Sequence, residues 1–139
     1  MELRIIGTDL PGRQCDGYDK VHVGIQIRRE PEQVIPADAD TVTFSTDIEV
    51  VDKEGGPDFR GPAVQGRPGD RFVYLTWGNV VDDRFEMFRR AKLMFDAIPA
   101  DTLASAQSSG VLTARLGLTD KCGMPKCAAV RPPAIHWEG

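Results

Sequence analysis

The sequence is poor in the residues that build disulfide frameworks and metal clusters. It contains three cysteines (Cys15, Cys122 and Cys127) and two histidines among 139 residues. An odd, low cysteine count in a chain long enough to bury a core is atypical of a disulfide-stapled secreted domain. Cys122 and Cys127 are separated by four residues, as one zinc ligand pair can be, but a structural zinc site normally needs a second pair. We therefore predict neither a metal at this pair nor a cofactor elsewhere.

Long apolar runs and an excess of positive charge are also missing. No stretch approaches the roughly 20 apolar residues that span a bilayer, and the first residues lack the basic start and apolar run of a signal peptide. The 17 basic and 21 acidic residues give a formal net charge of −4, whereas nucleic-acid-binding domains are usually net basic. The sequence therefore predicts a cytoplasmic protein that binds neither membranes nor nucleic acids.

The length of the chain and its pattern of apolar residues predict a single domain over residues 1–139, rich in strands. The length lies in the commonest range of domain sizes, and there is no internal repeat. Apolar and polar residues alternate in segments 21–27, 42–50 and 112–118, which is typical of half-buried strands. Further strands are predicted at 3–5, 71–77, 127–130 and 134–137. Segment 53–70 is rich in glycine and proline and is predicted to be a loop.

Two segments are predicted to be helical. The longer one, 84–98, follows a capping-box-like pair of acids at Asp83 and Glu86 and ends before Pro99. Its apolar face lies at helical spacing and comprises Phe88, Ala91, Phe95 and Ile98. A short helix is predicted from Asp101 to Ser108, closed by Gly110. Strands before and after one helical part of the chain favour an α+β fold. We expect a mainly antiparallel, strongly curved sheet or a partly open β-barrel with one long and one short helix.

The segment that best predicts a binding site runs from residue 59 to residue 77. Gly61 and Gly66 have the spacing of a phosphate loop, but Arg67 stands where that motif needs lysine. What is left is a glycine-rich loop with arginines beside an aromatic strand, and guanidinium groups suit carboxylate or phosphate ligands. We predict a pocket for a small anionic or aromatic molecule. Its predicted ligand-binding residues are Arg60, Arg67, Arg71, Tyr74 and Trp77.

A second interpretation of the same segment is conformational. Glycine and proline shape tight turns, and the arginines would then be solvated or paired with Asp58 and Asp70. Both interpretations stay open at the level of sequence.

Two other classes of function are compatible with the sequence. One is a non-redox enzyme of the isomerase, cyclase or hydrolase type that uses the same pocket, with His22 and Asp47 as candidate acid–base residues. No arrangement of nucleophile and base identifies a reaction, so the sequence does not decide whether the protein is an enzyme. The other is a protein-interaction domain that acts through the arginine-rich helix, around Arg89 and Arg90. A homodimer is also left open.

The 59–77 segment carries a family resemblance. The residues concerned are Phe59, Gly61-Pro62, Gln65-Gly66, Pro68-Gly69, Arg71-Phe72 and Tyr74, followed by Arg89-Arg90-Ala91-Lys92. This run resembles the signature of a small bacterial family that is catalogued only as a domain of unknown function, and the similarity extends over most of the chain. The resemblance implies a complete natural domain and brings no activity, cofactor or catalytic residue with it.

Overall fold

The computed structural model describes residues 1–8, 22–27, 33–35, 41–81, 84–118 and 134–139. Within these ranges the chain forms strands and one α-helix. The strands are β1 (Glu2–Thr8), β2 (His22–Ile27), β3 (Gln33–Ile35), β4 (Thr41–Asp47), β5 (Glu49–Lys53), β6 (Gly56–Arg60), β7 (Phe72–Val81), β8 (Arg84–Met94), β9 (Val111–Gly117) and β10 (Ile135–Glu138). The helix α1 spans Ala100–Ser109, and a 3₁₀ turn at Phe95–Ala97 precedes it.

The first sheet is mixed and has the strand order β10-β9-β1-β4. Strand β1 runs parallel to β9 and antiparallel to β4, and β10 runs antiparallel to β9. The helix α1 leads directly into β9, which supplies the connection that a parallel pair requires. Leu3 and Ile5 of β1 are completely buried, as are Leu112 and Ala114 of β9. The predicted alternation of these strands is confirmed.

The second sheet is antiparallel with the order β3-β2-β7-β8, and β5 and β6 form a separate two-stranded hairpin. Strand β7 lies between β2 and β8, and its residues Val73 and Leu75 are fully buried. The strand predicted at 71–77 is therefore confirmed. The strand predicted at 127–130 lies outside the described residues.

The predicted helix over residues 84–98 is wrong, because most of that segment is strand β8. The strand pairs residue by residue with β7, from Arg84 opposite Val81 to Met94 opposite Phe72. In its second half Ala91 and Leu93 are buried, whereas the residues that flank Ala91 are exposed. That alternation has the period of a strand, and pairing with a long neighbouring strand outweighed the helical spacing of the larger apolar residues.

The predicted architecture is confirmed only in its broad outline. The described part of the chain is mainly β with one helix, and none of its sheets closes on itself or curls strongly, so the expected barrel does not form there. The short helix is confirmed: α1 ends at Gly110, whose φ of 84° is left-handed and whose N–H donates to the Ala106 carbonyl at 2.7 Å. The N-cap is Pro99 rather than Asp101. Within the described ranges, no helix combines the length and the apolar content needed to cross a membrane.

Buried residues from both larger sheets, the β5–β6 hairpin, α1 and the 3₁₀ turn form one hydrophobic cluster. Its aromatic part joins three elements. The rings of Phe59 in β6 and Phe95 in the 3₁₀ turn stack with 4.5 Å between centroids and an interplanar angle of 6°. Trp137 of β10 lies 6.1 Å from Phe95. These contacts fix the hairpin and the start of α1 against the mixed sheet, and thereby position the site described next.

Candidate functional site

The β5–β6 hairpin forms one wall of the candidate site and was missed in the sequence, where residues 53–70 are predicted to be a loop. Lys53 pairs with Gly56, so Glu54 and Gly55 form a two-residue turn. Gly55 has a φ of 97°, which a two-residue hairpin turn requires and glycine adopts without strain. The signal that could have revealed the hairpin was the adjacent glycine pair between the apolar residues of β5 and Phe59.

The glycine–proline run that follows the hairpin consists of two β-turns. The Val64 N–H donates to the Gly61 carbonyl at 3.1 Å, and the Asp70 N–H donates to the Arg67 carbonyl at 2.8 Å. The second turn has proline at its second position and, at its third, Gly69 with a φ of 93°, which are the features of a type II turn. Much of the family-like run is therefore explained by turn geometry.

Arg71 links these turns to the hairpin. Its Nε donates to Oδ1 of Asp58 at 3.1 Å, and its Nη1 donates to the carbonyl oxygen of Gly66. The side chain is 22% exposed. A guanidinium carries five N–H donors, so these two bonds leave three for other acceptors. For Arg71, the structure shows the ion pair with Asp58 that the conformational interpretation allowed.

Asp58 is a buried carboxylate surrounded by three cations. Its side chain is only 3% exposed, and Lys53 Nζ and Arg60 Nε lie 3.5 and 3.6 Å from its Oδ2. The hydrogen bond from Arg71 lowers the pKa of Asp58 from its ordinary 3.8 to about 2, although desolvation by burial acts in the opposite direction. Three cations around one carboxylate leave an excess of positive charge at this end of the hairpin.

The low pKa of Asp58 makes part of the stability dependent on pH. A carboxylate whose folded pKa lies below its unfolded pKa stabilises the fold above the unfolded value, and this contribution is lost as the pH falls through the folded value. We expect Asp58→Asn to unfold at a lower temperature than the native protein at pH 7. That difference should shrink between about pH 4 and pH 2. Thermal unfolding of both proteins at pH 7, 4 and 2.5 measures it.

Asp47→Asn is the matched control for this pH dependence. Asp47 lies at the exposed end of β4 and has no ion pair among the described residues. We expect its variant to follow the native protein at every pH. A difference between Asp58→Asn and the native protein that stays constant from pH 7 to pH 2.5 would contradict the assignment.

A cleft of about 330 Å³ opens between the hairpin turn, the type II turn, the 3₁₀ turn and the start of α1. Its walls are mainly apolar, and Arg71 contributes their cationic group. The exposed Asp96 contributes a carboxylate. Helix α1 begins in this wall with Ala100, and its N-cap makes no side-chain hydrogen bond. The lining residues are Gly55, Gly56, Pro57, Phe59, Gly69, Arg71, Phe95, Asp96, Ile98, Ala100 and Leu103.

Of the four predicted ligand-binding residues whose side chains the structure describes, Arg71 is the one that lines this cleft. Arg60 pairs with Asp58 behind the cleft, and Arg67 is exposed beside the type II turn. Tyr74 lies on the outward face of β7, against Arg90. The side chain of Trp77 lies outside the described part of the structure.

The apolar wall of the cleft was missed in the sequence. Phe95, Ile98 and Leu103 are far from the 59–77 segment along the chain, and no spacing connects them to it. The first two were assigned to the face of a helix that does not form. Of the four large apolar side chains in this wall, Phe59 is the one that lies within the 59–77 segment.

Among the other candidate residues, the structure describes the side chain of Asp47. Asp47 lies at the end of β4 and does not line the cleft, and the side chain of His22 lies outside the described part of the structure, as do Cys122 and Cys127. Within the ranges that the structure describes, no three histidine, cysteine or acidic side chains are grouped so that they could hold a metal ion.

Comparisons with known proteins give a family but no function. No curated protein and no solved structure matches this chain. A family model described as a family of unknown function does match, and the match covers the chain from residue 1 to residue 139. The chain therefore belongs to this family of unknown function, DUF5990.

Proposed function

We propose that the domain binds a small amphipathic monoanion, such as an aromatic carboxylate, in the cleft beside Arg71. The observation that carries this proposal is the position of the Arg71 guanidinium in the wall of a cleft that is otherwise mainly apolar. Ligand sites commonly combine an apolar surface with a few fixed polar groups.

The Arg71 side chain is fixed in a position that suits the binding of an anion. Its bonds to Asp58 and Gly66 hold the guanidinium in place, so little side-chain freedom is lost when a ligand binds. The three remaining N–H donors suit the two oxygens of a carboxylate. Lys53 and Arg60 compensate the charge of Asp58 from the other side, which leaves Arg71 positively charged toward the cleft.

The remaining walls select for an apolar body. The stacked rings of Phe59 and Phe95 lie on one side, and Ile98 and Leu103 extend this surface toward α1. The volume of about 330 Å³ is at the small end of ligand sites, which span roughly 300–1,000 Å³. A molecule of one or two rings matches this space.

The Asp96 carboxylate limits the charge of the ligand. It lines the cleft and is exposed, so a second negative group on the ligand would be repelled by it. We therefore expect a monoanion to bind better than a dianion of the same size.

Titration with naphthalene-2-carboxylate tests the proposal. We expect this two-ring monoanion to bind in the sub-millimolar range, which corresponds to better than about −4 kcal/mol. Its uncharged analogue naphthalene-2-carboxamide should bind at least about tenfold more weakly, because it cannot pair with the guanidinium. Isothermal titration calorimetry measures both. No binding of the carboxylate at millimolar concentration, or equal binding of the amide, would contradict the proposal.

A matched pair of variants locates the site. Ala100→Trp places a large ring in the cleft, whereas Ser108→Trp places the same ring on an exposed position two turns further along the helix, which does not line the cleft. The first variant should weaken carboxylate binding at least about tenfold, and the second should leave it unchanged. Arg71 is kept intact in this test, because its removal would also leave Asp58 buried without its strongest partner.

A further inference from the structure

The outward face of the β7–β8 hairpin carries a strip of aromatic and basic side chains. In residues 72–76 of β7 and 90–94 of β8, where the structure describes the side chains, buried residues alternate with residues that face outward. The outward-facing side chains Phe72 and Tyr74 are partly exposed, and Arg90 and Lys92 are exposed. These four residues form the basic–aromatic strip. The strip lies outside the cleft, whose lining includes none of them.

The two cations of the strip are held in place by the two rings. Arg90 Cζ lies 4.6 Å from the centroid of the Tyr74 ring, and Lys92 Nζ lies 4.2 Å from that of Phe72. The rings themselves meet edge to face at 4.8 Å. Cation–π contacts of this kind fix a positive charge without neutralising it. Among the described side chains no carboxylate forms an ion pair with Arg90 or Lys92.

Strand β8 is also the outermost strand of its sheet. In the order β3-β2-β7-β8 it pairs with β7 on one side, and no other described strand pairs with its second side. An outermost strand presents backbone N–H and C=O groups to which an extended peptide can add as a further strand.

We propose that the second edge of β8, which pairs with no other described strand, accepts an extended acidic segment of a partner protein as an added strand. Arg90 and Lys92 are two residues apart on one face, which separates them by about 6.6–6.8 Å along the strand. An added strand presents every second side chain at the same spacing, so two alternating carboxylates would lie directly opposite the two cations. The backbone pairing supplies affinity, and the charges select the acidic sequence and its register.

A nucleic acid fits this surface less well. Binding of single strands relies on open aromatic faces on which bases stack, whereas each ring of the strip already has a cation over one face.

The test uses a fluorescein-labelled octapeptide of alternating glutamate and valine, with fluorescence anisotropy as the readout. We expect the native protein to bind it. Arg90→Glu combined with Lys92→Glu should raise the dissociation constant at least about tenfold. Arg4→Glu combined with Arg115→Glu is the matched control, because both arginines are exposed on strands of the other sheet and the change in net charge is the same. This control should bind the peptide with the native affinity. Thermal unfolding of both double variants verifies that they are folded.

A second peptide, N-methylated at every backbone nitrogen, separates strand addition from simple attraction of charge. It should not bind, because it cannot donate to the edge of β8. The proposal would be overturned by absence of octapeptide binding, by equal losses in the two double variants, or by undiminished binding of the methylated peptide. It would also be overturned if octathymidylate bound more tightly than the octapeptide and lost its affinity in the Arg90/Lys92 variant. If that variant self-associated and the native protein did not bind the octapeptide, the two charges would serve only to prevent edge-to-edge association of β8 between copies of the protein.

Discussion

Replacement of Phe95 with alanine is expected to lower the free energy of unfolding by about 3–5 kcal/mol, the usual cost of removing a large buried aromatic side chain. Phe95 is 3% exposed, stacks on Phe59 and packs near Trp137. Its loss would therefore separate the hairpin, the 3₁₀ turn and β10, three elements that no shared strand pairing holds together. Urea unfolding of the native protein and the variant measures this cost.

Phe72→Ala is the matched control for Phe95→Ala. It removes the same atoms from a partly exposed ring on the outward face of β7. Less apolar surface leaves the core in this variant, so we expect a cost well below that of Phe95→Ala. Equal costs for the two substitutions would contradict the central position that the structure gives to Phe95. A Phe95→Ala variant that still folds should also have weakened affinity for naphthalene-2-carboxylate, since it loses one wall of the cleft.

Replacement of Gly66 with alanine is expected to be nearly as damaging. Gly66 has a φ of 92°, which costs a residue with a Cβ atom roughly 1–3 kcal/mol. A Cβ there would in addition overlap the carbonyl oxygen of Asp70 and lie 3.1 Å from the ring of Phe72. The oxygen belongs to the backbone and cannot rotate away, so the type II turn would have to move. This movement would also displace the Gly66 carbonyl that accepts a bond from Arg71.

Gly69→Ala separates the two causes of this damage. Gly69 has nearly the same φ, 93°, but a Cβ there meets no atom within 4 Å. It should therefore show the conformational cost alone, and the difference between the two variants measures the steric overlap. Thermal unfolding of both variants gives this difference. If Gly69→Ala proved as unstable as Gly66→Ala, the overlap with Asp70 would contribute nothing.

The strands were predictable wherever one face is buried and the other is wet. In β9 every second residue is apolar, and these residues are the buried ones. A period of two follows from the geometry of a single strand, so it is visible before the pairing partner is known. The short helix and its closing Gly110 were predictable for the same reason, because a left-handed C-terminal residue is a local requirement.

The error over residues 84–98 has a different origin. Apolar residues in that segment satisfy helical spacing and, in part, alternation, so local pattern alone could not decide between them. The long antiparallel pairing with β7 decided it. Only two residues separate β7 from β8, but the pairing and its register cannot be read from either strand in isolation.

The candidate site, too, was only partly predictable from the sequence. The arginine-rich and glycine-rich character of residues 59–77 marked the region, and the turn residues Pro68 and Gly69 follow directly from local backbone preferences. The choice of Arg71 over Arg60 and Arg67 as the group in the cleft could not be read from the sequence. It depends on where the folded chain places each guanidinium, and all three have the same local chemistry.

By itself, then, the sequence determined what single segments dictate: most strands, the short helix, the turns and the region rich in cationic groups. The tertiary structure alone decided that β8 is a strand. It also decided that three cations surround Asp58 and that the rings of Phe59 and Phe95 stack in the wall of a cleft. Local periodicity reflects the geometry of one segment, whereas the charges around Asp58 and the walls of the cleft depend on how several segments pack against one another.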